Sequence, residues 1–387
     1  MRRAPGRHGW LLIPVIGLLT VTVLFCVTEG VARLIYTTSQ ATTAPCLILN
    51  DTAGGVRGVP NTRCQQKIPE SQLTTFVFNG CGHRAGRECG PKPPGTYRIV
   101  MVGSSFAFGM WVEREQSFAA LLQTELSHRS GRKIEIYNEA MQWGTPHSVA
   151  VRFGEVLAAQ PDMVLWPITP YDIENADLLD PGATTPPGGA PLDCRLESWR
   201  RYLKSLWTTS PGEAVAARWQ KSLGLLNCTR TVFLLQHWLY QSQTEYLEHY
   251  LADGPAADFL RRHPSQAWQH DAAQFARYVA DIQARTASVG ARLVVVVLPN
   301  RAQAALISRD HWPENFDPYG LGARVGNVVT AAGGIYLDVL HDFQQMPAPE
   351  QYYFPVDGHL DPVGHAVVAR ILSQALTEGP KPVVAAR

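Results

Sequence analysis

Hydrophobic and polar positions divide this chain into stretches of different rhythm. From Trp10 to Val27 about eighteen positions pass without a charge, close to the least that crosses a bilayer as a helix. The following segment, as far as residue 94, is rich in Thr, Pro, Gly and Cys and shows little periodicity, so it reads as a stalk and an irregular lead-in. At Tyr97 the pattern changes. Tyr97–Gly103 is an apolar, β-rich run, residues 116–127 have helical spacing through Phe118, Leu121, Leu122 and Leu126, and Lys133–Asn138 alternates as a strand. Residues 147–159 are helical again, and Pro161-Asp162 introduces a third strand over Met163–Ile168. The same alternation returns late in the chain, with a long helix over 268–288, a strand over 292–298 and a helix near 321–332. A short strand over 335–339 and a closing helix over 362–376 complete it. Strand–helix repeats of this length imply right-handed crossovers and a parallel sheet. The pattern predicts an α/β fold, a flavodoxin-like three-layer α/β/α arrangement whose five-stranded parallel sheet runs in the order 2-1-3-4-5.

Between about 175 and 266 that rhythm is lost. A Pro/Gly-rich tract, Asp180 to Pro191, precedes helical stretches carrying Trp199, Trp207, Trp219 and Trp238, which reads as an insertion above the sheet edge. It forms either a lid or substrate wall, or a packed helical subdomain, and aromatics at helical spacing favour core over a binding platform. The expected organisation is a basic tail at 1–9, a span at 10–32, a cysteine-containing lead-in at 33–94 and one domain at 95–380 that holds the insertion.

Charge and cysteine content then narrow the class. Lys and Arg number 34 against 33 Asp and Glu, a formal net charge of +1, which leaves no electrostatic footprint for nucleic acid. Arg2, Arg3 and Arg7 precede the apolar run and Glu29 follows it, so the expected orientation is a cytoplasmic amino terminus with the rest outside, periplasmic or extracellular. A retained signal anchor is favoured over a cleaved signal peptide, because Gly30-Val31-Ala32 is a weak exit for cleavage. Of the seven cysteines, Cys26 falls in the span. The remainder suit an oxidising compartment, with sequence neighbours suggesting the pairs Cys46–Cys64, Cys81–Cys89 and Cys194–Cys228 among the fifteen that six cysteines permit. Cys81-x-His83 with Cys89 has the wrong spacing for a standard zinc site, and neither a metal nor a cofactor is expected.

The candidate chemistry stands at the carboxyl ends of the predicted strands, the edge where open α/β sheets place reactive groups. Gly103-Ser104-Ser105-Phe106-Ala107-Phe108-Gly109 follows the first strand, Asn138-Glu-Ala-Met-Gln-Trp-Gly144 the second, and Thr169-Pro170-Tyr171-Asp172 the third. Asp357-Gly358-His359, with the tail Leu-Asp-Pro-Val-Gly-His365, stands just before the closing helix. Each element alone is weak, but together they place a hydroxyl, a turn, a polar loop and an acid–imidazole pair at one edge. In this order the chain resembles the SGNH/GDSL hydrolase superfamily, especially its bacterial members tethered by one amino-terminal span. The resemblance covers roughly residues 95–175 and 290–376.

That resemblance implies Ser105 as nucleophile, His359 as base and Asp357 as the carboxylate that orients the ring. The amides of Ser105 and Gly144 would form the oxyanion hole, with a third donor from the third block. Three departures matter. Ser104 replaces the usual acid beside the nucleophile. Gly144 comes one position late, so Trp143 competes for the donor position. The third block lacks its usual Asn, leaving Tyr171 or Thr169 as a substitute, or only two donors. His365 is the rival base, but it lies in the first turn of a helix capped by Asp361, where the dipole opposes protonation. The implied function is a membrane-tethered esterase acting through an acyl-serine on a small acyl ester or acylated glycan. An O-acyltransferase of polysaccharide modification and a noncatalytic carbohydrate-binding scaffold are the alternatives.

Overall fold

The computed structural model describes residues 9–38, 46–49, 51, 55–177, 229–309, 311–379 and 382–384. Its centre is a five-stranded sheet of β1 (Thr96–Met101), β2 (Lys133–Asn138), β3 (Met163–Ile168), β4 (Arg292–Val297) and β5 (Ile335–Leu337). The strands run parallel in the order β2-β1-β3-β4-β5, as the alternation predicts. Ile99 of β1 stands opposite Ile136 on one side and Met163 on the other. Every residue of β3 is buried, which explains why it reads as an unbroken apolar run: a central parallel strand is covered on both faces.

The helices are α1 (Gly9–Ile35), α2 (Ser105–Phe108), α3 (Phe118–Ser130), α4 (Pro146–Ala158), α5 (Pro170–Glu174), α6 (Arg230–Leu239), α7 (Gln243–Ala252), α8 (Gln266–Ser288), α9 (Arg301–Ile307), α10 (Gly320–Ala331), α11 (Leu340–Gln344) and α12 (Pro362–Glu378). Helices α3 and α12 pack together against one side of the sheet, while α4, α8 and α10 form the opposite layer. Side chains set where several of them begin. Ser117, Thr145, Ser265 and Asp361 each accept a backbone N–H from the first turn, and Pro146 and Pro362 occupy the first helical position, where no donor is lost. Sequence pattern placed the long helices to within three residues at each end. It did not find α9, seven buried residues shortly after β4, because a helix buried all round, Arg301 and Gln303 included, carries no amphipathic period.

The lead-in is packed. Its antiparallel pair Arg63–Gln66 and Thr74–Val77 carries Phe76, and Phe78 follows it; both are buried, and their rings stack on Phe108 at 5.5 and 6.2 Å. Disulfides join Cys46 to Cys64 and Cys81 to Cys89; Cys194 and Cys228 lie outside the described residues. Trp199, Trp207 and Trp219 also lie outside them, whereas Trp238 is 69% exposed and therefore not the core residue that its helical spacing predicts. Helix α1 contains a 24-residue stretch, Leu12–Ile35, of mean hydropathy 2.2, long and apolar enough to cross a membrane or to serve as a signal.

Candidate active site

Ser105 opens α2 directly after the β1 edge, so its amide, as the first helical N–H, has no partner within the helix. The loop that faces it comes from the far end of the chain. Phe354 N–H donates to the His359 carbonyl and Gly358 N–H to the Phe354 carbonyl, both at 2.9 Å, which closes residues 354–359 into a tight turn. Gly358 has φ of +84° with open space around its missing Cβ, so backbone conformation rather than crowding calls for glycine there.

Across this turn the predicted residues meet. His359 Nε2 lies 2.7 Å from Ser105 Oγ, and His359 Nδ1 lies 2.6 Å from Asp357 Oδ1. The other Asp357 oxygen accepts the indole N–H of Trp111 at 3.1 Å, and the Phe106 ring lies 5.2 Å from the imidazole. The His359 and Asp357 side chains both keep 23% exposure, so the line of groups opens to solvent. His365 is elsewhere: buried, stacked on Phe118 at 5.6 Å, with Nδ1 accepting the Phe118 amide at 3.1 Å. Burial pulls its pKa down to about 3, so it is a neutral core histidine.

At the second block the structure departs from expectation. Asn138 fixes the turn by donating to the Ala107 carbonyl at 2.8 Å and accepting the Ala140 amide at 3.0 Å. Gly144 packs so closely that a Cβ would stand 2.4 Å from the Gly103 carbonyl oxygen. Its own N–H, however, is spent on the Met141 carbonyl at 2.9 Å, so it is not a free oxyanion donor. Trp143 precedes it in the left-handed region, φ +58°, and its amide has no hydrogen-bond partner among the described residues.

The third block explains the change in the first. Asp172 Oδ2 accepts the Ser104 hydroxyl at 3.1 Å, the Thr169 amide at 2.8 Å and the Thr169 hydroxyl at 3.0 Å. A carboxyl thus stands beside Ser104 from α5, the helix that follows β3, and the Thr169 hydroxyl is occupied. The Tyr171 hydroxyl is buried with no partner among the described residues, and burial pushes its pKa up.

Sequence reasoning missed the supports of this site. Glu70 of the lead-in, its side chain 2% exposed, accepts the Val356 amide at 3.0 and 3.1 Å and the Asp357 amide at 3.0 Å, and pairs with His237 Nδ1 at 2.8 Å. Buried Arg84 donates to the carbonyls of Gly109 and Val112, both at 2.7 Å, which fixes the loop that carries Trp111. A lone acid and a lone arginine in an aperiodic polar segment carry no signal of this kind; only the tertiary fold gives them partners.

Burial also pushes up three carboxyl groups, to about 6 in Asp172, about 7 in Glu139 and about 8 in Glu174, where Asp271 and Asp258 add repulsion. A group with a raised folded pKa lends stability that is complete below its unfolded pKa and is lost as pH rises through the folded value. Neutral buried His365 acts with the opposite sign, but only below about pH 6.5. The urea midpoint is therefore expected to fall between pH 7 and pH 9 through Glu139 and Glu174; a midpoint that holds or rises would contradict it.

Residues 238–386, which contain Asp357 and His359 but not Ser105, match the family described as the SGNH hydrolase-like domain of acetyltransferase AlgX. No curated protein matches the sequence. Among solved structures, the chain is similar to a catalytic mutant of an acetylxylan esterase from Geobacillus stearothermophilus, with 12% identity over 75% of this chain and 97% of that one, TM-score 0.39. It is also similar to a lipase/acylhydrolase from Enterococcus faecalis, with 12% identity over 74% and 97% and TM-score 0.38. The sheet order is the one the alternation predicts, and residues 238–386 are similar to an SGNH hydrolase-like domain.

Proposed function

We propose that this chain is a membrane-tethered, extracytoplasmic serine esterase that removes an acyl group, most simply acetyl, from a small ester or an acylated glycan. The observation that carries the reading is the unbroken pair of hydrogen bonds from Asp357 through His359 to Ser105. Ser105 Oγ attacks the ester carbonyl while His359 Nε2 takes its proton. The tetrahedral oxyanion faces the free amides of Ser105 and Trp143, with the Tyr171 hydroxyl as the third donor. Collapse breaks the bond to the alcohol, which leaves with the proton from His359, and acyl-Ser105 remains. Water, deprotonated by the same imidazole, then releases the acid and restores the serine. Asp357 keeps the Nδ1 proton in place throughout and steadies the imidazolium.

The match to the acetyltransferase AlgX domain favours a second reading, in which a sugar hydroxyl replaces water and the acyl group is transferred. One experiment addresses both. Full chain in detergent is given p-nitrophenyl acetate carrying labelled acetyl, with and without a glycan acceptor. Release of p-nitrophenol and labelled acetate, with covalent labelling of Ser105 by a fluorophosphonate, is expected for the esterase; label on the glycan above the acetate background marks the transferase. Folded protein that neither turns over nor labels favours the noncatalytic carbohydrate binder.

Two further outcomes follow from the geometry. Tyr171→Phe removes a hydroxyl with no partner among the described residues, so turnover is expected to fall by roughly 10²-fold, as for loss of one oxyanion donor, without loss of stability. An unchanged kcat would remove Tyr171 from the site. Glu70→Gln turns one of two accepting oxygens into a donor opposite the Val356 and Asp357 amides, which loosens the turn holding Asp357. We expect kcat to drop about tenfold with KM nearly constant, since about 1.4 kcal/mol of lost positioning is a factor of ten. A change confined to KM would assign Glu70 to substrate binding instead.

A further inference from the structure

The apolar helix α1 is joined to the rest of the protein by its last turns. Glu29 Oε2 accepts the Thr231 amide at 2.8 Å and the Thr231 hydroxyl at 3.0 Å, Ala32 is buried, and the Tyr36 ring meets Phe233 at 5.2 Å and His237 at 5.7 Å. All of these partners belong to the start or the inner face of α6. Among the described residues nothing covers the opposite face of α6, where Leu235 is 54% and Trp238 69% exposed, and residues three apart share one helix face.

Helix geometry fixes the level at which α6 meets α1. At 1.5 Å per residue, Glu29 stands about 26 Å along the axis from Leu12, where the apolar stretch begins. The hydrocarbon slab is about 30 Å thick, so a helix whose first turn bonds Glu29 through the Thr231 amide starts at the slab's far boundary rather than above it. Arg33, its side chain 59% exposed, stands one turn further out, at the height of the lipid head groups.

We propose that α6 is an interfacial helix, lying at the acyl–headgroup boundary of the bilayer that α1 crosses, with Leu235 and Trp238 set among the lipid chains. A tryptophan and a leucine on one face beside an arginine suit that boundary, where an indole keeps its ring in an apolar layer and its N–H near water. The other side of the same helix carries His237, whose bond to Glu70 leads to the amides of Val356 and Asp357. The Ser105 site is thereby tied to the membrane surface by one helix and one carboxylate. The proposal rests on α1 being a retained span.

The test uses the full chain in phosphatidylcholine vesicles, with or without acyl chains brominated at carbons 6 and 7, a shallow quencher of indole fluorescence. Subtracting the Trp238→Phe emission from wild type isolates Trp238 among the 10 tryptophans. The expected difference signal is blue-shifted and loses at least half of its intensity in brominated vesicles. Leu235→Trp, made in the Trp238→Phe background, moves the probe along the same face and should be quenched as well. An equal difference signal in both vesicle types means that α6 faces water, a second copy or another protein, and overturns the proposal. Flotation separates the two possible failures. A chain that floats with the vesicles in alkaline carbonate but is not quenched retains its span and loses only the interfacial helix; a chain that does not float fails as a spanning protein, and the proposal falls with it.

Discussion

Replacing Ser105 by alanine is expected to lower ester turnover by roughly 10⁴- to 10⁶-fold, to the residual rate supported by binding and the oxyanion donors alone. The substitution deletes one oxygen whose only side-chain partner among the described residues is His359 Nε2, at a partly exposed position, so the fold and its unfolding midpoint should not change. His359→Ala should bring about the same loss, and the double variant little more, because the two groups act as one unit. The check is kcat on a chromogenic acetate ester beside fluorophosphonate labelling. Variant activity within tenfold of wild type would place the nucleophile elsewhere, whatever the geometry around Ser105.

Asp357→Asn should cost about 10⁴-fold while leaving the shape of the loop intact. The carboxylate accepts from His359 Nδ1 at 2.6 Å, from the His359 amide at 3.2 Å and from the Trp111 indole at 3.1 Å, so it has no need of a donor. An asparagine brings an NH₂ group into this ring of donors. If it turns toward Nδ1, the imidazole must accept there and carry its proton on Nε2, the tautomer that cannot take the proton from Ser105. If it turns toward Trp111, two N–H groups oppose each other in a half-buried site. A merely structural Asp357 would show its loss in unfolding rather than in turnover. Unaltered stability with a large fall in kcat, measured on the same preparation, is the pattern expected here.

How much of this could be read beforehand depends on the range of the interactions. The sheet order was legible because β1, β3 and β4 are covered on both faces and so appear as short apolar runs, each followed by a helix with its own period. Ser105, Asp357 and His359 were legible because each follows such a run or precedes the closing helix, so their place in the chain already gives their place at the edge. The oxyanion side was harder. Whether Gly144 or Trp143 offers a free amide turns on a single hydrogen bond, from Gly144 to the Met141 carbonyl, which no spacing rule reports. Ser104 stands where the resemblance leads one to expect an acid. In the fold its hydroxyl donates to Asp172, a contact that requires β1 and β3 to lie side by side. Glu70, Arg84 and Trp111 were silent for the same reason: their partners lie far away in sequence or on loops without period.

Glu70 changes what counts as the smallest working unit of this protein. A shortened chain starting at the first strand of the sheet would keep the serine, the imidazole and the aspartate, yet it would uncover Phe108 where Phe76 and Phe78 stack, and the amides of Val356 and Asp357 would have lost the oxygens that now hold them. Such a fragment is a natural choice for anyone trimming away an untidy amino terminus. It would fold around a turn free to wander, and its poor activity would be blamed on the chemistry when the missing part was the floor beneath it.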